Sequence, residues 1–136
     1  MKLIDLFPQF LRVREMTMDE IDEYGIIGPP PHHLFEPVDD LSVADGIRFT
    51  DPLWAQTHPG EDGFDVGASV HVAFQGRDPL GLISIGSDGR PTRWTVSGIG
   101  YGDLRLSPSI FVNPHGSPPG WHGFIGQSIP GEVANA

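Results

Sequence analysis

Six histidines and no cysteine make a histidine/carboxylate metal site the first chemistry to consider. Zinc would accept His58, His71, His115 or His122, with Asp or Glu completing its shell. No two histidines stand at the His-x-x-x-His interval that puts both ligands on one helix face. His32 and His33 are adjacent, so in an extended segment they point to opposite sides. The spacing predicts ordinary loop and strand histidines, and no metal centre. Nucleophilic catalysis has no better support. Ser107 and Ser109 flank Pro108 without the G-x-S-x-G elbow of a strained strand-to-helix turn. Gly98-Ile99-Gly100-Tyr101-Gly102 lacks a third glycine at phosphate-loop spacing and leads into an expected strand instead of a helix. Glycosidase chemistry needs two carboxylates facing one cleft, whereas the acids crowd the first half of the chain. The expectation is no enzyme activity and no cofactor.

Trp121-His122-Gly123-Phe124 is the sharpest local feature. In a strand, Trp121 shares a sheet face with residue 123, Gly123 permits close backbone approach, and His122 points the other way. Large aromatics usually fill cores, so a packing role is preferred over a binding role for His122.

Several elements must position these residues. Leu3, Ile4, Leu6, Phe7, Phe10 and Leu11 recur at spacings of three and four around Pro8. They predict a short, broken amphipathic turn that docks on the domain or on a neighbour. Leu3, Leu6, Phe7, Phe10 and Leu11 are accordingly the expected protein-interaction residues. Thr17 and Glu20 form a capping-box pair, Met16 and Ile21 occupy the staple positions, and Gly25 ends the helix. Asp19, Glu20, Asp22 and Glu23 lie near its N-terminus, where the helix dipole favours them.

Pro29-Pro30-Pro31 predicts an extended surface connection over 28–46. Ile47–Thr50 reads as a strand that Asp51-Pro52 breaks. Val70, Val72 and Phe74 alternate with His71 and Ala73, a half-buried strand with His71 facing outward. Ser87-Asp88-Gly89 reads as a turn, 93–97 as a strand, and Gly98–Gly102 as flexible or a bulge. Leu104 and Leu106 alternate before Pro108, 113–120 is a loop, and 121–125 is the last expected strand.

At 136 residues there is room for one domain. The 18 glycines and 14 prolines oppose a mostly helical fold, because both penalise helix interiors. The expected fold is mainly β: a small single-domain antiparallel sandwich or barrel, with a short N-terminal helix and an extended N-terminal arm. Residues 1–46 would be the arm, helix and Pro-rich connection, and 47–136 the β-rich domain. The first 66 residues hold 14 acids against Lys2, Arg12, Arg14 and Arg48, while the rest hold four acids and four arginines. The net charge of −10 therefore lies entirely in the first half. Such a chain is a poor binder of nucleic acid, whose phosphates call for Lys and Arg. Its acidic face keeps the protein soluble or meets a basic protein surface. No segment has the ~18 apolar residues of a membrane span, and Asp5 and Pro8 interrupt any signal-peptide core.

Read in order, Arg93-Trp94, Ser97-Gly98, Asp103-Leu104-Arg105-Leu106-Ser107-Pro108-Ser109-Ile110 and Gly120-Trp121-His122-Gly123-Phe124-Ile125 resemble a family of short phage and prophage proteins of unknown function. Some of its members carry an ammonia monooxygenase label. The resemblance covers roughly residues 47–126 and extends to Leu6-Phe7-Pro8 near the N-terminus. The family typically has Cys-Pro-x-Cys where this chain has Asp51-Pro52-Leu53-Trp54. His71 and His122 fall at family histidine positions. If the relatives' cysteines bind zinc, a weaker site would here be left to Asp51, His71 and His122. The resemblance implies a phage or prophage origin. The expected role is a non-enzymatic virion component, such as a capsid decoration or cement protein or a minor capsid- or tail-associated protein. Its partners would be other virion proteins, with homo-oligomers possible, no nucleic acid and no membrane. Its location would be the virion, otherwise the host bacterial cytoplasm. The alternatives are an acidic inhibitor of a host defence complex and a small His/Asp metal-binding domain.

Overall fold

The computed structural model describes residues 1–86 and 88–136. It contains two four-stranded antiparallel sheets packed as an unclosed sandwich. The first holds β1 (Gln9–Glu15), β2 (His33–Val38), β3 (Gly46–Thr50) and β4 (Ser69–Ala73) in the order β2-β1-β3-β4. The second is a meander of β5 (Thr95–Ser97), β6 (Arg105–Phe111), β7 (His122–Ile125) and β8 (Val133–Asn135). Helices α1 (Met18–Glu23) and α2 (Pro52–Ala55) are short, as the glycine and proline content requires. No described helix is long and apolar enough to cross a membrane.

One core joins the sheets. Phe10, Ile47, Phe49, Val70 and Val72 from the first meet Leu106, Ile110, Trp121 and Ile125 from around the second, all buried. The period-two pattern places Val70 and Val72 inward and His71 outward, and it does the same for Trp121, Gly123 and Ile125 against His122. The capping box of α1 is present, with Glu20 N–H donating to Thr17 Oγ1 and Thr17 N–H to Glu20 Oε1. Gly25 follows at φ +65°, the left-handed exit that glycine adopts without strain.

The N-terminal segment differs from the expected arm. β1 is an interior strand, paired with β2 on one side and with β3 on the other. Leu3 N–H donates to the Gly131 carbonyl at 2.8 Å, and Val133 N–H to the Met1 carbonyl at 2.7 Å, which fastens the N-terminus along β8. Residues 1–46 are thus part of the body of the fold, and no structural boundary falls at 46/47. The cause is register. The Phe10 side chain falls opposite Ile47 across the β1–β3 ladder and stacks on Tyr101 at 4.4 Å, and both contacts need the segment inside the sandwich.

Other differences are local. Residues 28–46 contain β2, which tolerates Pro37 because an edge strand can spare the missing N–H. β6 runs through Pro108 instead of stopping before it, and its register against β7 shifts between Leu106 and Ile110. Such a shift accommodates a residue that cannot donate to the ladder. The final strand is β8, not 121–125. Of the expected Ser87-Asp88-Gly89 turn, Ser87 lies outside the described residues; Gly89 N–H donates to the Gly86 carbonyl at 3.0 Å. The expected bulge at 98–102 is a tight turn in which Asp103 accepts from Ile99 and Gly100 N–H. Those bonds hold its carboxyl below the usual range.

Candidate functional site

A sandwich exposes two outer sheet faces, and the side chains of interest divide between them. On the first sheet, strand alternation brings Leu11 and Gln9 of β1, Phe35 and Pro37 of β2, Arg48 of β3 and His71 of β4 to one concavity. Arg48 lies opposite both Gln9 and His71 in the ladders. Phe64, from a 3-10 turn at Phe64–Val66, closes one side. The Arg48 guanidinium sits 4.6 Å from the Phe64 ring centre and bonds Asp62 at 3.0 Å. Arg48 thereby holds the Asp62 carboxyl below its ordinary range. Burial pushes the His71 pKa down and the Arg48 charge adds to the effect, both favouring the neutral imidazole. Phe35 and Phe64 are 40% and 54% exposed. The face is therefore apolar with one ion-paired cation, and Asp62 stands beside it.

On the second sheet, His122 Nε2 lies 3.2 Å from Ser109 Oγ, and its ring stacks on Phe111 at 4.2 Å. A serine–histidine contact is the beginning of a nucleophile–base pair. Among the described residues no carboxylate bonds to the other ring nitrogen to orient it. Ser109 stands in β6, not on a strained turn, and its carbonyl accepts from Trp94 Nε1 at 3.2 Å. Around it lie Ser107, Thr95, Ser97, Arg105 and Phe124, a face of hydroxyls and rings.

Asp51, His71 and His122 do not converge. Asp51 caps α2, its Oδ1 accepting from Leu53 N–H at 2.8 Å. His71 and His122 face outward from different sheets, with the core between them. Among the described residues no group of three histidine or acidic side chains is placed to hold a metal ion. Other histidines make local contacts: His58 stacks on Trp54 at 4.0 Å and bonds its carbonyl, and His32 meets the Gly28 carbonyl.

The expected interaction residues need correction. Leu3, Leu6, Phe10 and Leu11 are between 0% and 5% exposed. The first three belong to the protein's own core, and Leu11 forms the floor of the first outer face. Only Phe7 of the five stands substantially exposed, at the left-handed end of a 3-10 turn. The exposed apolar side chains Phe35 and Phe64 escape a sequence reading because neither belongs to a recognised apolar run. The signal that could have found Phe35 is its alternation with Glu36 beside Pro37, an edge-strand pattern.

No family model, curated protein or solved structure matches this chain.

Proposed function

We propose that this chain is a non-enzymatic structural component of a phage virion, a decoration or minor capsid- or tail-associated protein. It attaches through the outer face of its first sheet. The observation that carries this reading is the contiguous exposed apolar surface made by Phe35, Pro37 and Phe64 over Leu11. Contiguous apolar surface rimmed by polar groups marks protein–protein contact, and aromatic residues beside an arginine are typical of interface centres. Asp62, paired with Arg48 at its margin, suits a partner with a basic rim. The resemblance of the 93–125 motifs to phage proteins supplies the setting.

The test is attachment of variants to particles that lack the protein. Phe64→Glu and Phe35→Glu change exposed side chains, so the variants remain folded and lose co-sedimentation with the particles. Wild-type occupancy by both would contradict attachment through this face.

A further inference from the structure

The outer face of the second sheet has a different chemistry, and it stands independently of the attachment reading. Thr95 pairs with Ser107 across the β5–β6 ladder, and Ser97 pairs with Arg105. Their neighbours Val96 and Leu106 pack on the core, so these four side chains form a two-by-two polar lattice facing outward. Phe124, between buried Gly123 and Ile125, shows its ring on the same face. Together with Gln127 they line a groove of about 580 Å³. Ser109 joins this groove to a second concavity lined by Trp94, Phe111 and Asn113.

Two properties of this surface restrict what it can hold. Among the described residues, no Asp or Glu lines the first groove or the second concavity, although the chain has 18 of them. The cation in the first groove, Arg105, is pinned by a 2.8 Å bond from one guanidinium nitrogen to the Gly126 carbonyl, and its remaining donors are free to serve a ligand. A single-stranded nucleic acid needs a continuous cationic track beside its stacking rings, which one arginine does not make. A peptide added as a strand needs an unpaired edge. The groove lies on the face of the strands and not along an edge, so it offers side chains and not a backbone ladder. Next to β5, Trp94 is itself paired, its N–H donating to the Ala73 carbonyl and its carbonyl accepting from Gln75 N–H.

Serine and threonine hydroxyls both donate and accept, as sugar hydroxyls do, and an aromatic face suits the C–H face of a pyranose. Specific sites are concave, with rings supplying area and a few fixed polar groups supplying orientation. We infer that this groove binds a short neutral oligosaccharide. One sugar lies on Phe124 and bonds the Thr95/Ser107 and Ser97/Arg105 pairs, and the chain of sugars runs past Ser109 toward Phe111.

The inference is tested by ¹⁵N-HSQC titration of the full chain with cellobiose, chitobiose, maltose and lactose, and with oligothymidylate. At least one sugar is expected to give saturable shifts at Ser107, Ser109, Phe124 and Gln127 with millimolar affinity. Phe124→Ala should weaken that affinity about tenfold or more while the spectrum stays dispersed. Ser107→Val, at an exposed position, provides the same test if Phe124→Ala fails to fold. The proposal is overturned by no groove shifts with any sugar, by shifts that both variants leave unchanged, or by oligothymidylate alone saturating the groove.

Discussion

Trp121 is held from three directions. Phe49 meets its ring edge-on at 6.1 Å, its indole N–H donates to Asn135 Oδ1 at 2.9 Å, and a side chain at Gly123 would collide with its ring. Trp121→Ala should cost about 3–5 kcal/mol in chemical denaturation, as for other buried aromatic truncations; a loss near zero would mean the ring carries no core packing. This much of the Trp-His-Gly-Phe run was legible, because alternation alone decides which side chain goes inward. Asp78 was not. It is fully buried, and its carboxylate accepts from Leu82 and Ile83 N–H at 3.0 Å while its carbonyl accepts from Arg93. The carboxylate's bonds stay within one local turn, but the Arg93 bond that closes the clamp depends on a fold that brings residue 93 back to residue 78. Asp78→Ala leaves two N–H groups without their acceptor and should cost about 2–4 kcal/mol, at roughly 1–2 kcal/mol for each unmet donor. Glu20 makes a pH prediction. Its hydrogen bonds from Arg14, and then from Thr17 N–H, lower its pKa from 4.5 to about 2. A depressed carboxyl contributes stability above its unfolded pKa and loses it as pH falls through the folded one. Glu20→Gln should therefore flatten the fall in melting temperature between about pH 4.5 and pH 2; an unchanged pH profile would remove Glu20 as a contributor.

At the scale of elements, β1 decides whether the fold exists. It lies between β2 and β3, and its Phe10 fills the space between Ile47, Phe74 and Tyr101. Deleting residues 1–14 removes an interior strand and the Leu3 and Leu6 core contacts. The truncated chain should give a collapsed HSQC spectrum and no cooperative unfolding; a dispersed native-like spectrum would contradict the register described. Leu3, Leu6, Phe10 and Leu11 look like one amphipathic turn in a helical frame, but they divide between a 3-10 turn and a strand, with Phe7 in the left-handed region at the break. β3, β4 and most of the second sheet were legible from alternation. β2 hid behind Pro37, and β8 is only three residues long, too short for a period-two pattern to register. The capping box of α1 is legible in the sequence because its signal is confined to four consecutive residues.

At the scale of the molecule, the sandwich presents two unlike outer faces: an apolar one around Phe35 and Phe64 and a hydroxyl-lined one around Ser107 and Phe124. Under the proposed attachment, the apolar face meets the particle and the hydroxyl-lined face looks outward. The core between the two faces separates His71 from His122, and Asp51 caps α2, so these three residues do not form one site in space. The acidic excess belongs largely to α1 and the loops of the first half, where the charges cap helices, pair with Arg12, Arg14 and Arg48, or meet solvent. Its legibility in the sequence was good as a bulk property and poor as a map, since only the fold shows that Asp62 pairs with Arg48 at the apolar face. The most direct test of virion attachment is quantitative mass spectrometry of purified particles produced from the genome that encodes this chain. Many copies per particle, in fixed ratio to the major capsid or tail subunit, is the predicted result; particles that contain none while the infected cells contain the protein would contradict it.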